Sequence, residues 1–191
     1  LIATGIGGIG TLEEQITNYV NGGGRLIAMR PDSQITGLFG LGASAGTLTD
    51  GYLKIDDTAT INGAAPGAGL ATATLQIHGP ADKYNTLAGA ITVAQLYSDA
   101  ATSTTYPAVV SNSTGTAAAF TYDLARNVAY TRQGNPANAN VDVDGDGVLR
   151  TIDLFQPASN PWVNRDRIYI PQADEQQRLF ARLVKQFVAA V

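Results

Sequence analysis

Four carboxylates share one twelve-residue stretch, Asp142-Val143-Asp144-Gly145-Asp146-Gly147-Val148-Leu149-Arg150-Thr151-Ile152-Asp153. Calcium takes about six to eight hard oxygen ligands, so a short loop that holds it must curl and turn successive oxygens inward. Asp142, Asp144 and Asp146 are expected to supply three carboxylates, Val148 its backbone carbonyl, and Asp153 a closing carboxylate in bidentate fashion. Arg150 stands where a bridging water would complete the shell. Gly147 permits the sharp turn, because glycine enters the left-handed region without penalty. Apolar Leu149 is expected to anchor the loop in the core. The competing reading is a solvated acidic turn, since Asp-Gly pairs are frequent in turns. Four like charges in twelve residues repel one another without a cation, and the whole frame is filled, which favours the ion site.

Gly134-Asn135-Pro136 precedes the stretch and Gln156-Pro157 follows it, so a helix pair does not flank it. The frame resembles the calcium loop of EF-hand and dockerin proteins, set into a different fold. A dockerin carries two such repeats, and only one is found. The expectation is a structural Ca²⁺ site at 142–153 rather than a catalytic one.

The remaining candidates for chemistry are weaker. His78 is the only histidine and is followed by Gly79-Pro80, and no serine sits in a G-x-S-x-G elbow. A hydrogen-bonded histidine at a strand end is the simpler reading. Asp56-Asp57 and Asp174-Glu175 are consecutive, which points their side chains apart and suits solvent-facing or capping roles better than a glycosidase pair. Arg30 and Asp32 follow a strand, where α/β proteins place ligands. Arg126 and Arg132, with Tyr130 between them, are suited to a carboxylate or sugar, or to tying loops together. Trp162 reads as a lid over the core rather than a sugar-stacking platform. Gly5, Gly7 and Gly10 fit G-x-G-x-x-G with Asp32 downstream, but no regular βα repeats follow, so a nucleotide site is a poor fit.

The elements that must position these residues begin with a short strand, Leu1–Thr4. Thr11-Leu12-Glu13-Glu14 is a capping box, and Leu12, Ile16, Tyr19 and Val20 mark one helical face. Asn21-Gly22-Gly23-Gly24 ends that helix, and 25–29 reads as a buried strand stopped by Pro31. This is a βαβ unit, which implies a parallel sheet. Residues 33–51 read as loop. Strands are expected at 52–55, 75–78, 91–97, 108–110, 117–122 and 128–132, with the last two forming a β-hairpin. Ile168–Ile170 leads to Pro171. A final helix then follows, with Gln176, Leu179, Phe180, Leu183, Val184, Phe187, Val188 and Val191 on one stripe that packs on the sheet.

A chain of 191 residues with 45% apolar content suits one domain with a sizeable core. Net charge is -4 and the basic residues form no run, which argues against nucleic acid as a partner. No apolar run approaches the roughly 20 residues of a membrane span. The absence of cysteine excludes a thiol nucleophile and Cys-ligated zinc. Few charges with abundant Gly, Ala, Thr and Asn resemble secreted bacterial proteins. Because the chain opens inside a strand, it reads as an N-terminally incomplete piece of something longer.

Residues 19–32, Tyr-Val-Asn-Gly-Gly-Gly-Arg-Leu-Ile-Ala-Met-Arg-Pro-Asp, resemble the class I glutamine amidotransferase-like superfamily. There a helix, a Gly-Gly turn and an apolar strand lead to a nucleophile elbow. Members include a non-catalytic domain associated with trimerisation in some β-galactosidases. The strand end carries Met29-Arg30 where the active enzymes have cysteine, and His78 lacks a His-x-Glu context, so the resemblance implies no amidotransferase activity. Residues 118–136 and 170–179 resemble segments of large secreted bacterial proteins in which such a domain precedes a polysaccharide-deacetylase-like domain. The acidic loop departs from that pattern. The resemblance implies a three-layer, flavodoxin-like α/β domain over 1–191 with a β-rich insertion. Its implied role is non-catalytic and accessory, in a secreted or cell-surface carbohydrate-active protein. The implied partners are a neighbouring domain of the same polypeptide and polysaccharide. In this reading Ca²⁺ fixes the long connection from Gly134 to Trp162. The alternatives are an enzyme, either a hydrolase using Arg30, Asp32 and His78 or one using the glycine turn, and an oligomeric or partner-binding module that presents a sheet edge.

Overall fold

The computed structural model describes residues 11–143, 145–155 and 170–189. The Leu1–Thr4 strand, the Gly5–Gly10 turn, Asp144, Trp162 and Val191 lie outside them. The capping box forms at Thr11: its hydroxyl accepts from Glu14 N at 3.3 Å, and the Glu14 carboxylate accepts from Thr11 N at 3.0 Å. Helix α1 (Leu12–Asn21) buries only Val20, while Leu12 and Tyr19 are exposed. The glycine run after it has a steric cause, because a Cβ on Gly24 would come within 2.5 Å of the Tyr19 ring and carbonyl. Strand β1 (Leu26–Met29) follows, half-buried rather than buried.

The stretch read as loop after β1 is ordered. A 3₁₀ turn (Thr36–Phe39) leads into β2 (Leu41–Thr49), which pairs antiparallel with β5 (Pro80–Thr86). Only Leu41 of β2 is buried, so the strand carries no apolar alternation to reveal it. Partner hydrogen bonds, rather than burial, hold it.

A six-stranded sheet in the order β1-β8-β7-β6-β3-β4 forms the centre, from β3 (Tyr52–Ile55), β4 (Leu75–Gln76), β6 (Ile91–Tyr97), β7 (Ser103–Ser111) and β8 (Ala117–Phe120) with β1. The β1–β8 pair is parallel, in the register Leu26↔Ala117, and the other four neighbouring pairs are antiparallel. The sheet is therefore mixed α/β architecture, not the run of parallel strands expected from a βαβ start. The β-rich middle of the chain builds this main sheet and is not a separate insertion.

The expected hairpin after residue 117 is wrong in its second arm. Residues 124–133 form helix α2 (Leu124–Gln133), whose N-cap Asp123 accepts from Arg126 N at 2.9 Å. Val128, Tyr130 and Thr131 favour strand locally. The cap, together with burial of Leu124, Asn127 and Thr131 on one helical face, overrides that preference. Helix α3 (Pro171–Ala189) forms as expected but with a narrower stripe: Ala173, Gln176, Leu179, Leu183 and Phe187 are buried, whereas Val184 and Val188 face solvent.

Side chains alternate across a strand, so β8 sends Phe120 to one face and Ala117 and Ala119 to the other. On the first face Phe120 joins Leu53, Leu96, Tyr122, Leu124, Leu179 and Leu183, with Tyr122 and Phe180 edge-on to its ring at 5.8 and 6.1 Å. On the second, Ala117 and Ala119 join Val20, Phe39, Leu41, Tyr84 and Val110. Each fully buried Leu of the first cluster contributes about 1.5–3 kcal/mol. No helix among the described residues is long and apolar enough to cross a membrane.

Candidate metal centre

The acidic loop leaves from the end of α2 and is pinned back onto it. Gly134 takes φ +88 and its N–H donates to Tyr130 O at 2.9 Å. A Cβ there would meet Leu154 Cβ at 2.7 Å, so glycine lets residue 154 approach the helix end. Asn135 N donates to Leu154 O at 2.6 Å, and Asn138 Nδ2 donates to Asp153 O at 3.1 Å. Residues 151–155 form a short 3₁₀ helix that carries Asp153 inward, to 2% exposure.

Within the frame the acids organise the backbone. Asp142 accepts from Gly145 N at 2.8 Å through one oxygen and from Gly147 N at 2.7 Å through the other. Asp153 accepts from Val143 N at 3.1 Å and Arg150 N at 2.7 Å, so the last residue of the frame grips the second and ninth. Asp146 accepts from Val148 N at 2.8 Å, and its other oxygen is paired with the Arg150 guanidinium. Gly145 and Gly147 have φ +75 and +82, the left-handed values that let the chain curl. Leu149 is 58% exposed and does not anchor the loop in the core; that role falls to Asp153, which is buried through its hydrogen bonds.

The donor set is of the right chemistry for a hard cation, carboxylate oxygens with a backbone carbonyl available. Hydrogen bonds of this kind orient a carboxylate, which has about four lone-pair sites, without by themselves exhausting it. Among the described residues, Asp142, Asp146 and Asp153 do not close into a three-carboxylate cluster. Asp144, the fourth acid of the frame, lies outside those residues.

Of the other candidates, Arg30 and Asp32 both lie close enough to Tyr84 to act on its hydroxyl, and each is also held in a bond of its own. Arg30 sits at φ +48 at the end of β1, and its guanidinium grips Asp82 at 2.9 and 3.1 Å. That hydrogen bond holds the Arg30 pKa above its ordinary value. Asp32 turns back to accept from Gln34 N at 2.9 Å. Arg126 pairs with Asp123, and Arg132 crosses from α2 to Asp174 of α3, tying elements together. Asp56 caps its own turn through Thr58 and Ala59, and these bonds, led by the Thr58 hydroxyl, lower its pKa. Asp174 accepts from Ile170 N at the start of α3. Glu175 departs from its expected exposed position: it is 2% exposed and accepts from Ala71 N at 2.8 Å and from Arg178 at 2.9 Å.

His78 belongs to a buried polar network not apparent beforehand. Its backbone N–H donates to Asn127 Oδ1 at 2.7 Å. Asn127 Nδ2 donates to Gln176 Oε1 at 2.8 Å, and the Tyr122 hydroxyl donates to the same oxygen at 2.6 Å. Gln176 Nε2 donates to Gln76 O at 2.9 Å, joining α2, α3 and the end of β4. Burial raises the Tyr122 pKa well above its ordinary value. The signal was present in the sequence as Gln176 inside an otherwise apolar helical stripe. Comparison of the chain with protein-family models, curated proteins and solved structures found no match.

Proposed function

We propose that the chain is a non-catalytic accessory domain whose loop 142–153 binds Ca²⁺ and thereby stiffens the connection between α2 and α3. The observation that carries the ion reading is the grip of Asp153 on both Val143 N and Arg150 N, which brings the closing acid of the frame against its beginning. In this reading the carboxylates of Asp142, Asp144, Asp146 and Asp153 and the carbonyl of Val148 hold the ion. The ion supplies charge neutralisation. The protein supplies the curl, through Gly145 and Gly147, and the tether to α2, through Asn135 and Asn138. Millimolar calcium in an extracellular setting suffices even for a weak loop site of this kind.

The non-catalytic part is supported by the engagement of Arg30, Asp32, Arg126 and Arg132 in structural bonds. The amidotransferase-like, flavodoxin-related core rests on the resemblance of residues 19–32, with the α1–β1 succession and the one parallel pair, β1–β8, set beside four antiparallel pairs. A secreted or cell-surface parent protein, a neighbouring domain as partner and polysaccharide as the bound polymer follow from the resemblance of residues 118–136 and 170–179. Isothermal titration of chelator-stripped protein with Ca²⁺ tests the ion site. Saturable heat that disappears in Asp142→Asn is expected, and no heat in the parent chain refutes it. Co-sedimentation with insoluble polysaccharide tests the partner.

Self-association through β2 is a second reading, favoured by one feature. Among the described residues β2 pairs with β5 on one side only, leaving an open strand edge. Light scattering across a concentration series separates it from a monomeric module.

A further inference from the structure

We infer that the groove between the second half of α3 and residues 62–66 is a binding site for a small amphipathic carboxylate. Lys185 and Arg182 hold its charged end, and Ala64, Ala65, Pro66 and Ala189 take its apolar body. None of these residues belongs to the acidic loop, so the site stands apart from the Ca²⁺ reading. The groove has a volume of about 500 Å³, within the roughly 300–1,000 Å³ of small-molecule sites. Both of its walls are fixed. On one side Ile61 and Ala64 exchange backbone hydrogen bonds at 2.9 and 3.0 Å. Asn62 and Gly63 between them stand at φ +49 and +81, as a tight hairpin turn requires. From the other side α3 grips the backbone of this segment and its continuation. Gln186 Nε2 donates to Ile61 O, Arg182 Nη1 donates to Pro66 O at 3.2 Å and to Ala68 O, and Glu175 accepts from Ala71 N at 2.8 Å. Asn62, Ala64 and Lys185 are exposed, so the preformed groove opens to solvent.

Helical residues three and four apart share a face, so Arg182, Lys185, Gln186 and Ala189 come to the groove together. They bring two cations, and none of the described residues lining the groove is acidic. This local positive charge runs against a chain of net charge -4. Among the described residues neither cation is neutralised by a carboxylate. Arg182 meets only backbone carbonyls, through Nη1 alone, and a guanidinium has five N–H donors. Lys185 has no hydrogen bond or ion pair among the described residues. Arg178, one turn earlier, is by contrast paired with Glu175 at 2.9 Å. Nor do these cations serve the end of the helix, because the last turn of α3 carries no basic residue and the dipole acts within that turn. A carboxylate accepts from a guanidinium and an ammonium alike, while the alanine and proline surface calls for an apolar body behind it. No helix begins among the lining residues, so the usual cradle of a phosphate is missing from them.

The test titrates the chain with naphthoate, with neutral naphthamide and with acetate, and follows backbone amide chemical shifts. Naphthoate is expected to saturate with a Kd of about 1 mM, the strength ordinary for a ligand of its size. Its shifts should centre on residues 61–68 and 182–189. Naphthamide, which keeps the body and loses the charge, should bind about fivefold more weakly. Acetate, which keeps the charge and loses the body, should not saturate. Lys185→Gln should weaken naphthoate about two- to fivefold, the span of an exposed ion pair, and flatten its salt dependence. Lys54→Gln, which removes an exposed cation elsewhere, should change nothing. Ala64→Trp fills the groove and should abolish saturation. Equal binding of naphthoate and naphthamide, unchanged in Lys185→Gln, would overturn the carboxylate assignment. Shifts centred elsewhere, or no saturation by naphthoate up to ~10 mM, would overturn the site itself.

Discussion

The polar network between α2 and α3 and the acidic loop that joins those helices differ in how donors balance acceptors. In the network the partners are neutral: a phenol, two amides and backbone groups bond one another in a buried environment. In the loop, four carboxylates and one guanidinium share twelve residues, and backbone N–H groups do most of the neutralising. The first arrangement depends on burial. The second leaves excess negative charge at the surface. Burial makes the network sensitive to any deletion, because an unsatisfied buried group costs about 1–3 kcal/mol. On the proposed ion reading, exposure makes the loop sensitive to ions instead.

Breaking the network should give the largest effect. Gln176→Ala strips partners from the Tyr122 hydroxyl, Asn127 Nδ2 and Gln76 O together. Chemical denaturation should show a loss of about 3–5 kcal/mol. Tyr122→Phe removes one donor and keeps the ring contact with Phe120, and should cost about 1–2 kcal/mol. The same variant sharpens the comparison through pH. A phenol whose folded pKa exceeds its unfolded value near 10 stabilises fully below that pH, and the contribution is lost as pH rises through the folded value. Wild type should therefore lose stability above about pH 10, and the slope of melting temperature against pH should flatten in Tyr122→Phe.

In the loop, Asp153→Asn keeps one acceptor and removes one charge. In EDTA it should cost about 1–3 kcal/mol by thermal melting, because one of the two N–H groups it accepts from loses its acceptor, and it should weaken Ca²⁺ binding by more than about tenfold in a titration. The smallest effect is expected at Asp56, an exposed turn cap with no link to either cluster. Asp56→Ala should change stability by about 0.5 kcal/mol. Because its folded pKa is lowered from the ordinary 3.8, that contribution holds above about pH 4 and vanishes as pH falls through the folded value. Acid melts of the two proteins should converge there.

Elements set by local signals were readable in advance. Thr11 with Glu14 announced α1, and the spacing of Leu179, Leu183 and Phe187 announced α3. Tyr52–Ile55 and Ile91–Tyr97 were rich enough in aromatic and branched apolar residues to read as strands. The errors arose where partners decide. β2 lacks an apolar rhythm because β5 holds it through backbone bonds. The β-branched and aromatic residues of 128–131 favoured strand, while the Asp123 cap and the buried Asn127 made helix. Strand direction in the sheet depends on long-range pairing that no local window contains. The acidic frame was visible in the sequence as a spacing of carboxylates, and the structure adds the backbone hydrogen bonds that Asp142, Asp146 and Asp153 accept. Its anchor was not, since Asp153 is buried through hydrogen bonds to Val143 and Arg150 rather than through apolarity.

The most direct measurement is the melting temperature of chelator-stripped protein titrated with Ca²⁺, with Mg²⁺ in parallel at matched ionic strength. A ligand that binds only the folded chain raises stability in proportion to the logarithm of its concentration above its dissociation constant. The melting temperature is expected to climb steadily with Ca²⁺, to climb less with Mg²⁺, and not to climb in Asp142→Asn. A melting temperature indifferent to Ca²⁺ through the millimolar range would contradict the proposed ion site.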